Sequence, residues 1–396
     1  MKFGGSHLGY CTNIHPGESW DEIRANLGRH VPAVKARVCP DAPFGLGLRL
    51  SCLAARELAR PGALEEFDDF LRRESLYVFT INGFPYGPFH GTRVKEGVYL
   101  PDWRDEARLE YSNLLADLLA RWLPPEAGAG SVSTVPGAFR ASVTDVADTS
   151  RIADRLLRHA ARLVEVERRT GRRIVLALEP EPCCLLETVA ETVAYFREHL
   201  HSAAAAARLA ALTGLDATAA HAALRAHLGV CLDLCHAAVE FEDPAQCLDA
   251  LEDAGIAVAK IQVTAGLRIP RMCAATAEAL RRLEDAVYLH QVVERGPDGL
   301  HRYADLGEAL ATDGWRGGDR EWRIHFHVPV FLEELDGFAS TQPFVREALA
   351  LHRQRNRSPQ LELETYTWSV LPEQHRSVPV EQAIARELEW LKGELA

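Results

Sequence analysis

Short apolar segments alternate with longer segments of mixed polarity along most of the chain. Near-continuous apolar runs are typical of buried parallel strands, whereas apolar residues repeating every three or four positions are typical of helices packed on one face. The runs predict eight strands, at residues 7–14, 45–51, 77–83, 131–137, 173–182, 229–236, 257–266 and 360–368. A predicted helical segment follows each strand in turn, at residues 19–38, 52–74, 104–122, 149–170, 186–200, 243–254, 274–286 and 380–393.

Consecutive strand–helix units of this number predict a (β/α)8 TIM barrel, an α/β fold, with a doubly wound sheet as the alternative. No low-complexity linker divides the chain, so residues 1–396 are interpreted as one domain. The alanine-rich segment 203–228 predicts a helical insertion of one or two helices. Residues 287–340 form a second insertion, which contains the strand-like stretches YLHQVV and RIHFHVPVF and leaves the strand count open there.

Composition and charge narrow the functional classes. Hydrophobic residues make up 47% of the chain and charged residues 25%, as in ordinary soluble globular proteins. With 44 basic and 56 acidic residues, the formal net charge of −12 disfavours binding to nucleic acid or an anionic membrane surface. No apolar run reaches the length of about 18 residues that predicts insertion into a membrane. The N-terminus MKFGGSHLGY lacks the features of a signal peptide, so we expect a cytoplasmic protein with its nine cysteines reduced.

Four oxygen-bearing side chains interrupt the apolar runs near the ends of consecutive predicted strands. Glu179 ends the fifth strand, and Asp233, Gln262 and Glu364 follow in the sixth, seventh and eighth. The carboxyl ends of TIM-barrel strands converge around one axis and carry the active site, so we expect these side chains to lie close together. Three neighbouring carboxylates repel one another unless a cation lies among them. We predict that all four side chains bind a divalent metal, Mn²⁺ or Mg²⁺ before Zn²⁺ or Co²⁺.

Histidines and amides near the strand ends are candidates for substrate contacts. His15 and Asn82 follow the first and third strands, where polar groups beside aromatic rings suit a polyol. His236 lies three residues past Asp233, and residues three apart on a strand face opposite sides. His236 therefore reaches the same pocket only if the chain bends after Asp233. Its alternative roles are capping the next helix or packing on the barrel rim.

The second insertion contains three further histidines, His290, His325 and His327. Alternation along RIHFHVP places His325 and His327 on one face of the predicted strand. This His-x-His pair either ligates a metal or has a structural role. We predict that His290 and His327 contact the substrate.

The residues at the strand ends make the chain resemble the xylose-isomerase-like TIM barrels, especially their branch of ketose 3-epimerases and hydroxypyruvate isomerases. In that branch a Glu-Pro-like strand end, an Asp-x-x-His segment and a strand-eight Glu recur, and strand seven gives a His, or a Gln in the hydroxypyruvate isomerase type. The resemblance implies the metal ligands Glu179, Asp233, Gln262 and Glu364. It also implies substrate contacts from His236 and from Arg268, six residues past Gln262 in the stretch GLRIPR, interpreted as a loop. The two glutamates double as catalytic acid and base in this branch.

From end to end, the chain is also similar to the EboE-type metabolite traffic proteins. The stretches that carry this resemblance are YCTNIHPGESW, INGFPYGPFHG, VKEGVYLPDW, LDLCH, KIQV, YLHQVV, HFHVP and LETYTW. The resemblance implies an operon with a prenyltransferase-like membrane protein and a sugar-phosphate cyclase, whose products are candidate partners. It also implies a cyclitol or a cyclitol derivative as substrate. The two insertions have no counterpart in small epimerases, so sugar specificity does not carry over.

These observations together predict a divalent-metal-dependent isomerase or epimerase of a sugar or cyclitol that acts through an enediolate. Glu179 and Glu364 would remove and return the proton on the carbon next to the carbonyl. One alternative is a metal-dependent hydrolase of the endonuclease IV type, whose three-zinc site is rich in histidine. Another is a non-catalytic metabolite-binding protein. The sequence lacks GxGxxG, Walker and GxSxG motifs, so nucleotide binding and serine hydrolysis have no support.

Overall fold

The structure is a computed structural model that describes residues 1–89, 95–283, 288–312, 319–335, 337–366 and 378–396. Its larger sheet has nine strands, of which the short first strand β1 (Lys2–Phe3) pairs antiparallel and the other eight are parallel. The parallel strands are β2 (Ser6–Tyr10), β3 (Phe44–Arg49), β4 (Leu76–Asn82), β5 (Ala129–Thr134), β6 (Arg173–Leu178), β7 (Leu228–Asp233), β8 (Ala257–Val263) and β15 (Gln360–Leu363).

The parallel strands form a nearly closed barrel. Strand β15 pairs with both β8 and β2, and a parallel bridge between Cys11 and Gly47 joins β2 to β3. Each of the eight predicted strands has its counterpart in this barrel. The predicted TIM-barrel fold class is therefore confirmed.

Helices surround the barrel and follow the predicted alternation. Their bounds are α1 (Trp20–Val38), α2 (Cys52–Leu58), α3 (Pro61–Arg73), α4 (Glu106–Trp122), α5 (Val146–Thr170), α6 (Val189–Tyr195), α7 (Ala203–Thr213), α8 (Ala217–His227), α9 (Leu234–Val239), α10 (Pro244–Asp253), α11 (Ala274–Arg281), α12 (Leu306–Ala311), α13 (Gln342–Gln354) and α14 (Val380–Leu395). Helices α7 and α8 form the predicted helical insertion and pack against α5. Within the described ranges, each helix is too short or too polar to cross a bilayer.

The second insertion is larger than the sequence analysis predicts. It contains an antiparallel sheet of six strands, β9 (Ala265–Ile269), β10 (Val292–Gly296), β11 (Gly299–Tyr303), β12 (Glu321–Val328), β13 (Glu334–Leu335) and β14 (Phe338–Ser340). The predicted strand 257–266 is wrong at its end, because the chain leaves the barrel at Thr264 and enters this inserted sheet. The apolar run continues across Thr264, so periodicity alone does not mark the change of sheet.

One helix assignment changes with the larger insertion. Helix α11 packs against α12 of the insertion, whereas α13 packs between α10 and α14 on the outside of the barrel. The seventh barrel strand is therefore completed by α13, and not by the segment 274–286 as predicted. Residues 284–286 of that segment lie outside the described part of the chain.

A buried ion pair lies inside the barrel. Lys260 Nζ is 2.7 Å from Glu362 Oε2, and both side chains are fully buried. Lys260 also donates a hydrogen bond to Ser133 Oγ at 3.0 Å. Gly47 makes room for the pair, since a Cβ at this position would lie 1.6 Å from Glu362 Oε1. Lys260 and Gln262 lie two residues apart on β8, so both side chains point into the barrel interior.

Candidate active site and metal centre

Three carboxylates meet at the carboxyl end of the barrel. Glu179 directly follows β6, Asp233 is the last residue of β7, and Glu364 directly follows β15. One oxygen atom of each lies within 4.8 Å of the others, and the residues are 4%, 1% and 4% exposed, respectively. The ends of parallel strands meet around the barrel axis, which explains why residues so far apart in sequence converge here. We call these three residues the carboxylate cluster.

The surroundings of the carboxylate cluster are unfavourable for three separate negative charges. Burial raises the pKa of Glu179 and of Glu364 well above its usual value, and the neighbouring carboxylates raise both further. Burial also raises the pKa of Asp233. Among the described atoms, Glu179 Oε2 and Asp233 Oδ2 are buried without a hydrogen-bond partner. A divalent cation would satisfy both oxygens and offset the repulsion, so this donor set fits a metal ion.

Two amides hold Glu364 in place. Its Oε1 accepts hydrogen bonds from Nδ2 of Asn13 and of Asn82, each at 2.7 Å. Asn82 Oδ1 in turn accepts a hydrogen bond from the backbone N–H of Phe84 at 3.0 Å. Asn82 lines the cavity above the cluster, but both ends of its amide bind protein groups. In the structure, Asn82 therefore positions Glu364. Its substrate contact stays a prediction.

Backbone groups hold Asp233 in a similar way. Its Oδ1 caps α9 by accepting hydrogen bonds from the N–H groups of Cys235 at 2.6 Å and of His236 at 3.2 Å. This leaves Oδ2, which is buried without a hydrogen-bond partner in the described structure, as the oxygen available to a cation. Such outer hydrogen bonds are typical of metal-binding carboxylates, because they fix the ligand in one orientation.

Gln262 lies next to the cluster, but its orientation differs from that expected of a ligand. In the sheet register it stands between Asp233 of β7 and Glu362 of β15. Its Oε1 accepts a hydrogen bond from Cys231 Sγ at 3.0 Å, while its buried Nε2 has no hydrogen-bond partner in the described structure. A half-turn of the amide would exchange the two atoms. The role of Gln262 as a metal ligand stays a prediction that depends on this half-turn.

A second cluster consists of three histidines whose Nε2 atoms converge. His236 lies in the first turn of α9, and His325 and His327 lie two residues apart on β12. The Nε2–Nε2 distance is 3.1 Å between His236 and His325 and 2.9 Å between His325 and His327. The chain bends after Asp233, where β7 ends and α9 begins, and this bend brings His236 into the pocket. We call His236, His325 and His327 the histidine cluster.

Burial keeps the histidine cluster in its uncharged form. It lowers the pKa of His236 to about 3 and that of His327 to about 4. It also lowers the pKa of His325 well below the usual value, and the neighbouring histidines add to this effect. Neutral imidazole is the form that binds metal ions.

Asp233 is a member of the carboxylate cluster that also lies beside the histidine cluster. Its oxygens group closely with those of Glu179 and Glu364 on one side, and with the ring nitrogens of His236 and His327 on the other. Asp233 Oδ2 is 3.9 Å from His236 Nε2. The two clusters are thus neighbouring parts of one site with a shared carboxylate between them.

Glu181 is a residue of the site to which the sequence analysis gave no role. Its Oε1 accepts hydrogen bonds from the Tyr99 hydroxyl at 2.7 Å and from Gln291 Nε2 at 3.2 Å, and it lies 3.5 Å from His325 Nδ1. Burial raises the pKa of Glu181 to about 8. Its position two residues past Glu179, in the stretch EPE, was the available sequence signal. Gln291 and Tyr99 carried no comparable signal, because their contacts come from distant segments.

Two predicted substrate contacts from the insertion have other partners. Arg268 lies in β9 and not in a loop, and its Nε is 2.8 Å from Glu321 Oε1 of the inserted sheet. His290 Nδ1 donates a hydrogen bond to the backbone oxygen of His325 at 3.1 Å. Neither belongs to the described residues that line the cavity. The predicted loop at Arg268 is therefore wrong, whereas the substrate contacts predicted for Arg268 and His290 stay predictions.

His15 also lies away from the described cavity lining. Its Nε2 is 3.0 Å from the Tyr10 hydroxyl, and its ring stacks on that of His30 with 4.3 Å between centroids. The substrate contact predicted for His15 stays a prediction. Asn13 of the same turn points to the site instead, through its hydrogen bond to Glu364.

A cavity opens onto both clusters. Its polar lining includes Glu179, Glu364 and the whole histidine cluster. Aromatic rings form much of the remaining wall, contributed by Phe84, Phe89, Tyr99, Tyr288 and Tyr366. Lys95 at the cavity is paired with Asp305 of the insertion, with 2.5 Å between Nζ and Oδ2. The insertion therefore forms one side of the pocket.

Comparisons with known proteins support the fold. No protein-family model matches the chain, and no curated protein matches it. Among solved structures, a xylose isomerase-like TIM barrel protein from Mycobacterium smegmatis in complex with magnesium has a TM-score of 0.52 and 13% identity, covering 100% of both chains. The IOLI protein with a bound zinc atom has a TM-score of 0.47 and 11% identity, covering 98% of this chain and 97% of that chain.

A D-tagatose 3-epimerase-like protein has a TM-score of 0.44 and 12% identity, covering 98% of this chain and all of that chain (100%). These comparisons leave the resemblance to EboE-type proteins unconfirmed. At such low identity, the likeness concerns the fold and not the reaction. The chain has the fold of the xylose isomerase-like TIM barrel proteins.

Proposed function

We propose that the protein is a divalent-metal-dependent isomerase or epimerase of a polyol that carries a ketone, such as a sugar or a cyclitol. The observation that carries this proposal is the carboxylate cluster, whose oxygens lie within 4.8 Å of one another at the carboxyl end of the barrel. Two of its members, Glu179 and Glu364, also line the cavity. The cluster thus combines a place for a cation with two groups able to transfer protons.

The chemistry follows from the roles of these side chains. A bound Mn²⁺ or Mg²⁺ supplies Lewis-acid polarisation of a carbonyl and favours the ionised form of nearby carboxylates. One of Glu179 and Glu364 takes the proton from the carbon next to the carbonyl, and the other returns a proton to the resulting enediolate. Asn13 and Asn82 keep Glu364 oriented during both steps. Return to the opposite face gives epimerisation, and return to the neighbouring carbon gives isomerisation.

The cavity wall supports a polyol as the substrate class. Aromatic rings pack against the C–H faces of a sugar or cyclitol, while the amides and acidic groups bind its hydroxyls. The resemblance to EboE-type proteins supports a cyclitol within this class and candidate partners from the same operon. The acidic net charge of −12 disfavours a polyanionic substrate such as nucleic acid.

The experiment that tests this function is proton exchange at carbon. The Mn²⁺-loaded protein is incubated in D₂O with a panel of ketoses and cyclitol ketones, and deuterium incorporation is followed by NMR. We expect exchange next to the carbonyl, together with formation of an epimer or isomer, for at least one member of the panel. The same mixture after removal of metal with a chelator serves as the control. Binding of panel members without any exchange would instead favour a metabolite carrier.

A metal-dependent hydrolase remains the second candidate, and the histidine cluster favours it. Three neutral imidazoles near a carboxylate are typical ligands of zinc in hydrolytic enzymes. The exchange experiment separates the two candidates, because a hydrolase does not incorporate deuterium at carbon.

A further inference from the structure

The inserted sheet contributes a second donor set of a different chemical kind beside the carboxylate cluster. We propose that His236, His325 and His327, together with Asp233, form a separate metal site for Zn²⁺ or an ion of similar preference such as Co²⁺. This proposal rests on the proposed function at one point, because Asp233 would be a ligand in both metal sites. The protein would then hold two neighbouring metal ions, one among oxygen ligands and one among nitrogen ligands.

The hydrogen bonds of the three rings decide where their protons lie. His236 Nδ1 is 2.9 Å from the backbone oxygen of Pro180, and His327 Nδ1 is 2.7 Å from that of Glu364. A carbonyl oxygen only accepts hydrogen bonds, so both Nδ1 atoms carry the proton. In the neutral rings, Nε2 of His236 and Nε2 of His327 therefore present lone pairs.

The third ring has the same tautomer for a less direct reason. His325 Nδ1 is 2.7 Å from Gln291 Oε1. Gln291 Nε2 lies within hydrogen-bond distance of Glu181 Oε1 and of the backbone oxygen of Pro182, at 3.2 and 3.3 Å. These acceptors fix the orientation of the amide, so its oxygen faces His325 and accepts the Nδ1 proton. His325 Nε2 consequently presents a lone pair as well.

The lone pair of His325 Nε2 lies close to those of His236 and His327, and a cation would stabilise this arrangement. The contacts of 3.1 and 2.9 Å between Nε2 atoms have no proton to share and are repulsive between neutral rings. Ligands around a tetrahedral zinc ion, with Zn–N bonds of about 2.0–2.1 Å, lie about 3.3 Å apart, which is close to this spacing. Each Nδ1–H is bound to an oxygen acceptor, as is usual for metal-ligating histidines. Imidazole ligands favour Zn²⁺ and related ions over Mg²⁺.

The experiment uses the full chain, freed of metal by a chelator and then titrated with Co²⁺ while visible absorption is recorded. We expect an intense d–d absorption band of low-symmetry Co²⁺ in the wild type, displaced by one equivalent of Zn²⁺. Losing an outer hydrogen-bond partner of a zinc ligand weakens metal binding by up to about 100-fold, and losing the ligand itself should cost more. His325→Ala and His327→Ala should therefore each remove this band and weaken Zn²⁺ binding by more than about 100-fold. His301→Ala is the matched control, since His301 is an exposed histidine on β11 of the same inserted sheet.

The two proposals fail in distinguishable ways. Glu179→Gln and Glu364→Gln should leave the Co²⁺ band of the histidine cluster in place, whatever they do to proton exchange. Should the histidine variants not fold, wild-type crystals soaked in Zn²⁺ and measured at the zinc edge give an independent answer. An anomalous peak among the three Nε2 atoms is expected. Its absence, or folded His325→Ala protein with unchanged Co²⁺ absorption and Zn²⁺ affinity, would overturn the proposal.

Discussion

Replacing either glutamate of the carboxylate cluster by glutamine is expected to lower deuterium exchange into a ketone substrate by about 10²-fold or more, the usual scale for losing a general acid or base. Glu179→Gln and Glu364→Gln keep the shape of the side chain and retain an oxygen that can bind a cation. What each variant loses is the group that accepts or returns a proton. The rate is measured by NMR in D₂O with the Mn²⁺-loaded protein.

The control for this prediction separates proton transfer from metal binding. Metal content is measured on the same samples, because a fall in exchange is informative only while the ion is still bound. Glu334→Gln is the matched control, since Glu334 is an exposed glutamate on β13 of the insertion. It should exchange at the wild-type rate. Wild-type exchange in both cluster variants, with metal retained, would exclude the acid–base role.

Removing the buried lysine beneath the cluster is expected to destabilise the protein by about 3–5 kcal/mol, the usual cost of breaking a buried ion pair from one side. Lys260→Met leaves Glu362 as an unpaired carboxylate inside the barrel, where Lys260 Nζ is now 2.7 Å away. Burial is the largest single effect and lowers the pKa of Lys260, but the charge of Glu362 and the other ionisable neighbours together outweigh burial and raise it. The free energy of unfolding is measured by urea denaturation.

A double variant provides the matched control for the lysine. In Lys260→Met combined with Glu362→Gln, the unpaired charge is gone, so most of the lost stability should return. Lys260 also lowers the pKa of Glu179 and Glu364. A loss below about 1 kcal/mol for Lys260→Met alone would contradict the description of this pair as a buried ion pair.

The barrel and the carboxylate cluster were predictable because their signals are local. Each barrel strand is a short apolar run, and a polar residue at the end of such a run is visible without knowing the rest of the fold. The rule that barrel active sites lie at the carboxyl ends of strands then brings Glu179, Asp233 and Glu364 together. Closure of the barrel then brings the three strand ends together. Glu179 directly follows β6, Asp233 ends β7, and Glu364 directly follows β15.

The inserted sheet was only partly predictable. Its strand β12 has a clear alternation, but the start of β9 lies in the same apolar run as β8, with only Thr264 between them. Which sheet a strand joins depends on pairing between distant segments, which periodicity does not report. Arg268 illustrates the consequence, because the stretch GLRIPR is interpreted as a loop from its sequence, whereas Arg268 lies in β9 of the inserted sheet.

The histidine cluster depends on a contact across the sequence. His236 and His325 are 89 residues apart, and their meeting requires both the bend after β7 and the folding of the insertion over the barrel. The alternation of RIHFHVP correctly placed His325 and His327 on one face, but not the direction of that face. A position at the end of a strand also did not indicate which side chain of the turn after β2 reaches the cluster. Asn13, and not His15, donates a hydrogen bond to Glu364.

The central claim is that the carboxyl end of the barrel binds a divalent cation between Glu179, Asp233 and Glu364. The most direct measurement is the anomalous diffraction of wild-type crystals grown in Mn²⁺, recorded at a wavelength where manganese scatters anomalously. We expect a peak among the oxygens of these three side chains, which now lie within 4.8 Å of one another. Well-ordered crystals that contain Mn²⁺ elsewhere, or not at all, and show no peak at this position would contradict the account.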